Sequence, residues 1–152
     1  MDKKIKIVVL YPIILGMVLF LFMGAMAPPA TDLSIVVNSG VQETVSYQEF
    51  IRIIRGEKQR WDDGTKVSIA LMKTSHPTGQ LTAERIYAMS GNELNKYWLS
   101  VVFQGKAKAP NFFNSEPELI NYVSTTPGAI GIVSAGTEGN FKILTITGTE
   151  KL

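Results

Sequence analysis

Apolar positions along the chain follow three rhythms: one long unbroken run, several short bursts, and stretches repeating every three to four residues. The unbroken run comes first. From Ile7 to Thr31, 25 residues pass without a charged side chain. As a helix, residues 7–27 span roughly 32 Å at about 1.5 Å per residue, close to the hydrocarbon thickness of a bilayer. Lys3, Lys4 and Lys6 precede the run, so the positive-inside rule keeps the N-terminus in the cytoplasm and sends the rest outward. Residues 1–27 are therefore read as a membrane anchor kinked at Pro12. The alternative is a secretory signal cleaved after Ala25-Met26-Ala27, against which stand Pro28 just past the cut and an apolar run longer than ordinary signals carry. A buried helix of a soluble fold is the remaining reading. Residues 28–32, with Pro28 and Pro29, form a stiff spacer.

Downstream the bursts and the periodic stretches alternate. Leu33 to Asn38 (LSIVVN), Val67 to Leu71 (VSIAL) and Ala129 to Ser134 (AIGIVS) predict buried strands, and Phe141 to Ile146 (FKILTI) predicts an alternating one. Ser46-Tyr-Gln-Glu49 has the form of a capping box, opening a helix with Tyr47, Phe50, Ile51 and Ile54 inward and Gly56 at its end. A helix is expected to start near Thr78-Gly79, with Leu81, Arg85, Ile86 and Met89 on its inner side. Ser90 to Glu93 is a second capping box. Behind it Leu94, Tyr97, Trp98, Val101 and Val102 give the strongest helical spacing in the chain. Ser115 to Glu118 predicts a third box and a helix with Leu119, Ile120 and Val123 inward, ended by Thr126-Pro127-Gly128. Strands separated by helices imply an α/β domain over residues 33–152, a mixed sheet flanked by helices. Trp98 is expected to be buried, and Trp61, beside the Asp62-Asp63-Gly64 turn, to be partly exposed.

Composition narrows the function. Three of the 15 Lys and Arg and one of the 13 Asp and Glu lie before residue 28, so the remainder carries 12 of each. A neutral domain lacks the concentrated positive charge that nucleic acid requires, and no nucleic-acid partner is expected. Cysteine is absent, which removes disulfides, thiol catalysis and iron–sulfur clusters.

Little catalytic chemistry is on offer. His76 is the only histidine and has no carboxylate at metal-ligand spacing, so it reads as a solvated loop residue, and neither a metal nor a cofactor is expected. Glu49, Glu93 and Glu118 are accounted for as helix caps and Asp62-Asp63 as a turn. No glycine-rich nucleotide loop follows a strand. The domain is read as non-enzymatic. One constellation stands out: Lys73-Thr-Ser-His-Pro-Thr-Gly79, between a strand and a helix, where free backbone N–H groups collect anions. Lys73, Thr74, Ser75, Thr78 and Gly79 are its candidate ligand-binding residues. The plainer reading is that a hydroxyl caps the helix and Pro77 fixes its entry.

Several segments together resemble the substrate-binding proteins of phosphate ABC transporters, particularly their short relatives. These are the LSIVVN strand, Phe50 to Gly64 with its Gly-Glu-Lys stretch before Trp61, Asn95-Lys-Tyr-Trp98, Val102-Phe-Gln-Gly105, and Thr126-Pro-Gly-Ala-Ile-Gly131. The resemblance covers about residues 33–134. It implies one lobe of a periplasmic binding protein of the type II kind, which closes on phosphate and delivers it to a permease. Ligand-binding members carry an Arg and a Ser-Gly-Thr-like turn where this chain has Lys73 to Gly79, and Lys lacks the planar fork that grips two oxygens. The resulting expectation is a periplasmic domain held by a single pass in the bacterial inner membrane, or released if the segment is cleaved, binding phosphate or a similar small oxyanion. The alternative is a ligand-free structural subunit of an envelope complex, meeting a protein partner or a second copy of itself.

Overall fold

The computed structural model describes residues 32–41 and 44–147. The apolar N-terminal segment lies outside them, and among the described residues no helix is long and apolar enough to cross a membrane. The elements in order are β1 (Leu33–Val37), β2 (Thr44–Ser46), α1 (Tyr47–Ile54), β3 (Ser68–Met72), α2 (Pro77–Arg85), α3 (Gly91–Phe103), β4 (Asn111–Phe113), α4 (Glu116–Thr125), β5 (Ala129–Ser134), β6 (Lys142–Ile143) and β7 (Thr145–Thr147).

Five strands form a mixed sheet in the order β4-β3-β5-β1-β6. β3 runs parallel to β4 and β5, and β1 is antiparallel to β5 and β6, with Ile35 opposite Ile132. β2 and β7 pair in parallel as a separate ribbon, Val45 beside Ile146. The pleat sorts the apolar bursts onto two faces, as a period of two requires. Ile35, Val37, Ile69, Leu71, Ile130 and Ile132 pack with α1, α2 and α3. Val36, Ala70, Met72, Ala129 and Val133 face Leu119 and Val123 of α4. Gly131 lies on this second face, where a Cβ would come within 2.7 Å of Leu119 Cδ2. A bare backbone there lets α4 approach the sheet closely.

The strand bursts behave as expected, except that FKILTI breaks at Leu144 and divides between the sheet and the ribbon. The helix faces need correction. On α1 the buried residues are Phe50, Ile53 and Ile54, while Tyr47 is exposed. Ile86 and Met89, just past α2, join the core as expected, but the helix itself buries its small residues, Thr78, Gly79, Thr82 and Ala83, and Arg85 points outward to Asp32 at 3.6 Å. On α3 Leu94, Trp98 and Val101 are buried and Val102 is exposed.

The caps differ too. Ser90 and Glu93 make the full reciprocal box. Ser46 Oγ accepts from Glu49 N–H, but the Glu49 carboxylate pairs with Lys58 rather than folding back. Ser115 makes no side-chain cap bond at all. Trp61 is buried, not partly exposed, because its Nε1–H donates to the Gly128 carbonyl at 2.9 Å and draws the ring inward. That bond joins the tryptophan turn to the Thr126-Pro127-Gly128 turn, two segments far apart in sequence. At the same carboxyl end of α4, Asn38 Nδ2 donates to the Val123 and Ser124 carbonyls, satisfying acceptors that the helix leaves open.

Candidate functional site

Chain direction creates a crevice at one edge of the sheet. From β3 the chain crosses through α2 and α3 on one face to reach β4, then returns through α4 on the opposite face to β5, on the other side of β3. The chain leaves β3 for α2 on one face and leaves β5 for Phe141 on the other, and the space outside their carboxyl ends, the crevice, is the usual place for ligands in α/β sheets.

Four elements meet there around one carboxylate. Glu116, the first residue of α4, directs Oε1 between the Thr78 hydroxyl at 2.6 Å and the Ser134 hydroxyl at 2.6 Å, and also accepts the Ser134 N–H at 3.1 Å. Its Oε2 lies 3.1 Å from the Thr137 hydroxyl, which is also 2.6 Å from the Ser134 carbonyl. Thr78 Oγ1 and Ser134 Oγ are 3.0 Å apart. Partial burial acts to raise the Glu116 pKa, but the bonds from Ser134, Thr78 and Thr137 outweigh it and hold the carboxyl below its ordinary value. A concavity of about 500 Å³ runs along α4, lined among others by Ile120, Ser124 and Glu138, and reaches the cluster at Glu116 and Thr137.

The five residues singled out from sequence divide into three roles. Thr78 is buried and joins the cluster. Gly79 shapes the turn: a Cβ would fall 2.1 Å from the Lys73 carbonyl oxygen, so only glycine lets α2 start this close to the loop. Lys73 and Ser75 are exposed, and Thr74 accepts a hydrogen bond from Asn95 Nδ2 at 3.2 Å. His76 is half-buried as the cap of α2, its Nδ1 accepting the Thr78 N–H at 3.3 Å, which replaces the solvated-loop reading. Glu116, Ser134 and Thr137 were missed by sequence reasoning. The available signal was Ser134, the one polar side chain ending an otherwise apolar strand.

At the opposite edge a smaller cavity of about 260 Å³ lies among Lys66, Lys108, Asn111 and Tyr122. There Lys108 depresses the Lys66 pKa by like-charge repulsion. Among the described residues no group of His, Cys, Asp and Glu is arranged to hold a metal ion.

A mixed sheet of this topology, covered by helices on both faces, has counterparts among solved structures. The fold is similar to about half of phosphate-transport receptors. An ABC-type phosphate transport receptor from Vibrio cholerae matches over 79% of this chain and 48% of its own, with a TM-score of 0.59 and 16% identity. PstS from Borrelia burgdorferi matches over 79% and 49%, at 0.57 and 19%. A putative phosphate ABC transporter substrate-binding protein from Clostridium perfringens, solved with bound phosphate, matches over 78% and 46%, at 0.57 and 9%. This chain thus spans about half the length of these receptors. No protein-family model and no curated protein matches the sequence.

Proposed function

We propose that the chain is a non-catalytic, extracytoplasmic binding-protein-like lobe, held at the membrane by residues 1–27, whose crevice loop meets phosphate or a similar small oxyanion through Lys73, Thr74, Ser75, Thr78 and Gly79. The observation that carries this reading is the position of that loop: it leaves the carboxyl end of β3 at the crevice, in a fold shared with phosphate receptors. Affinity is low, because donors come from one side only and the anion keeps water on the other. Calorimetric titration of phosphate into the full chain tests it. A dissociation constant no tighter than roughly millimolar, about 4 kcal/mol of binding, is expected. Combined Ser75→Ala and Thr78→Ala replacement should abolish the heat. Micromolar binding that survives both replacements would sink the placement.

A second reading, a ligand-free subunit that meets a protein partner or another copy of itself in an envelope complex, is favoured by the prior commitment of the crevice hydroxyls. Thr78 already donates to Glu116. A complete absence of phosphate heat, with a defined complex in cross-linking of intact cells, decides for it.

A further inference from the structure

We propose that Glu116 is the crevice's own resident anion: its carboxylate fills the place of a small oxyanion, so Thr78, Ser134 and Thr137 receive an external one far more weakly while that carboxylate is in place. The inference rests on the reading of the crevice as an oxyanion position. It identifies the residue that sets what may enter.

The donor set is the first argument. Three hydroxyls and one backbone N–H, from α2, β5 and the segment after β5, converge on a single carboxyl group. Neutral donors disposed around a negative oxygen pair are the chemistry by which proteins hold oxyanions without a counter-charge. Charge is the second. Among the described residues the ion pairs join Lys58 to Glu49 and Asp62, and Arg85 to Asp32, and none includes Glu116. Its negative charge is therefore held by these dipoles and by the amino end of α4, as a bound ligand's would be. Repulsion is the third. An external anion reaching the same donors meets the Glu116 carboxylate directly, and Glu138 on the rim of the concavity adds a further negative charge. Dianionic phosphate is disfavoured most, and a formate or acetate ion best matches the group it would replace.

Removing the carboxylate and supplying one from solution tests this in the full chain. Glu116→Ala should lower the thermal midpoint, and formate or acetate should raise it again along a saturating curve, against sodium chloride at matched ionic strength. The wild type should answer only at higher concentration, with half-saturation about tenfold or more above that of the variant. Glu118→Ala, an exposed position on the same helical turn, should show at most a small loss and no rescue. Should the alanine variant fail to fold, Glu116→Ser also takes the carboxylate away. Its Ser134 amide resonance should then move at a lower formate concentration than that of the wild type.

Equal response of wild type and variant to the same anions overturns the assignment, as does a variant that answers only to ionic strength. Rescue of the variant with no phosphate heat in the wild type keeps Glu116 as resident anion and removes the oxyanion-binding function. Phosphate heat in the wild type without rescue of the variant does the reverse.

Discussion

Replacing Trp98 by alanine tests whether the helical spacing after Ser90 is what holds the larger core together. The ring is 2% exposed and sits edge-on to Tyr97 at 5.4 Å and to Tyr87 at 6.4 Å between centroids. Its floor is Gly56, whose Cβ, were there one, would lie 3.1 Å from Trp98 Cη2. Emptying a large aromatic site costs about 3–5 kcal/mol, and the spread depends on how far the surroundings close in. Here they are pinned. The Tyr87 hydroxyl donates to the Ile54 carbonyl at 2.7 Å and that of Tyr97 to the Arg55 carbonyl at 2.8 Å, so neither ring can swing into the space without breaking its own bond. The upper half of the range, about 4–5 kcal/mol, is expected, with Trp98→Phe recovering roughly half. Urea unfolding followed by circular dichroism measures it, since a shift in midpoint at constant slope is a change in stability alone. A loss below about 1.5 kcal/mol would mean that the core closes freely, and the argument from the pinned tyrosines would be wrong.

Three further outcomes follow from named contacts. Gly79→Ala drives a methyl group against the Lys73 carbonyl oxygen and should destabilise by about 3 kcal/mol or more, read as a fall in melting temperature or loss of soluble protein. Because the folded Glu116 pKa lies below its unfolded value, the contribution of this group is complete above the unfolded pKa and disappears as pH falls through the folded one. The acid limb of stability should accordingly be shallower in Glu116→Gln, by thermal melts between about pH 2 and 5. Intact mass of the native protein should retain residues 1–27, and a mature N-terminus near residue 28 in soluble fractions would remove the anchor.

Strands and helix starts were largely legible because each depends on local chemistry. A burst such as AIGIV has no stable place but the interior of a sheet, and Ser90 with Glu93 closes on itself without help from elsewhere. Faces of short helices were less so. α2 turns its smallest residues inward because Gly79 must pass the Lys73 backbone, a demand made by the sheet edge and invisible in the periodicity of Leu81, Ile86 and Met89. Two three-residue strands, β2 and β4, carry too few positions to show an alternation. The site was half legible. Thr78 and Gly79 stand out by their place between strand and helix, whereas Glu116 looked like one more helix-start carboxylate. Only the folding of β5 beside β3 shows that it reaches across to Ser134 and Thr78.

The antiparallel seat of β1 between β5 and β6 has a consequence for the order in which the molecule is assembled. The first strand of the domain pairs only with strands made near its end, so closing the sheet must wait until almost the whole domain has been synthesised. A ribosome-bound or partly translocated chain stopping short of Ala129 would hold β3, β4 and their helices but leave LSIVV without a neighbour. Such long-range closure slows folding, since the entropy of a large loop is lost before any pairing compensates it.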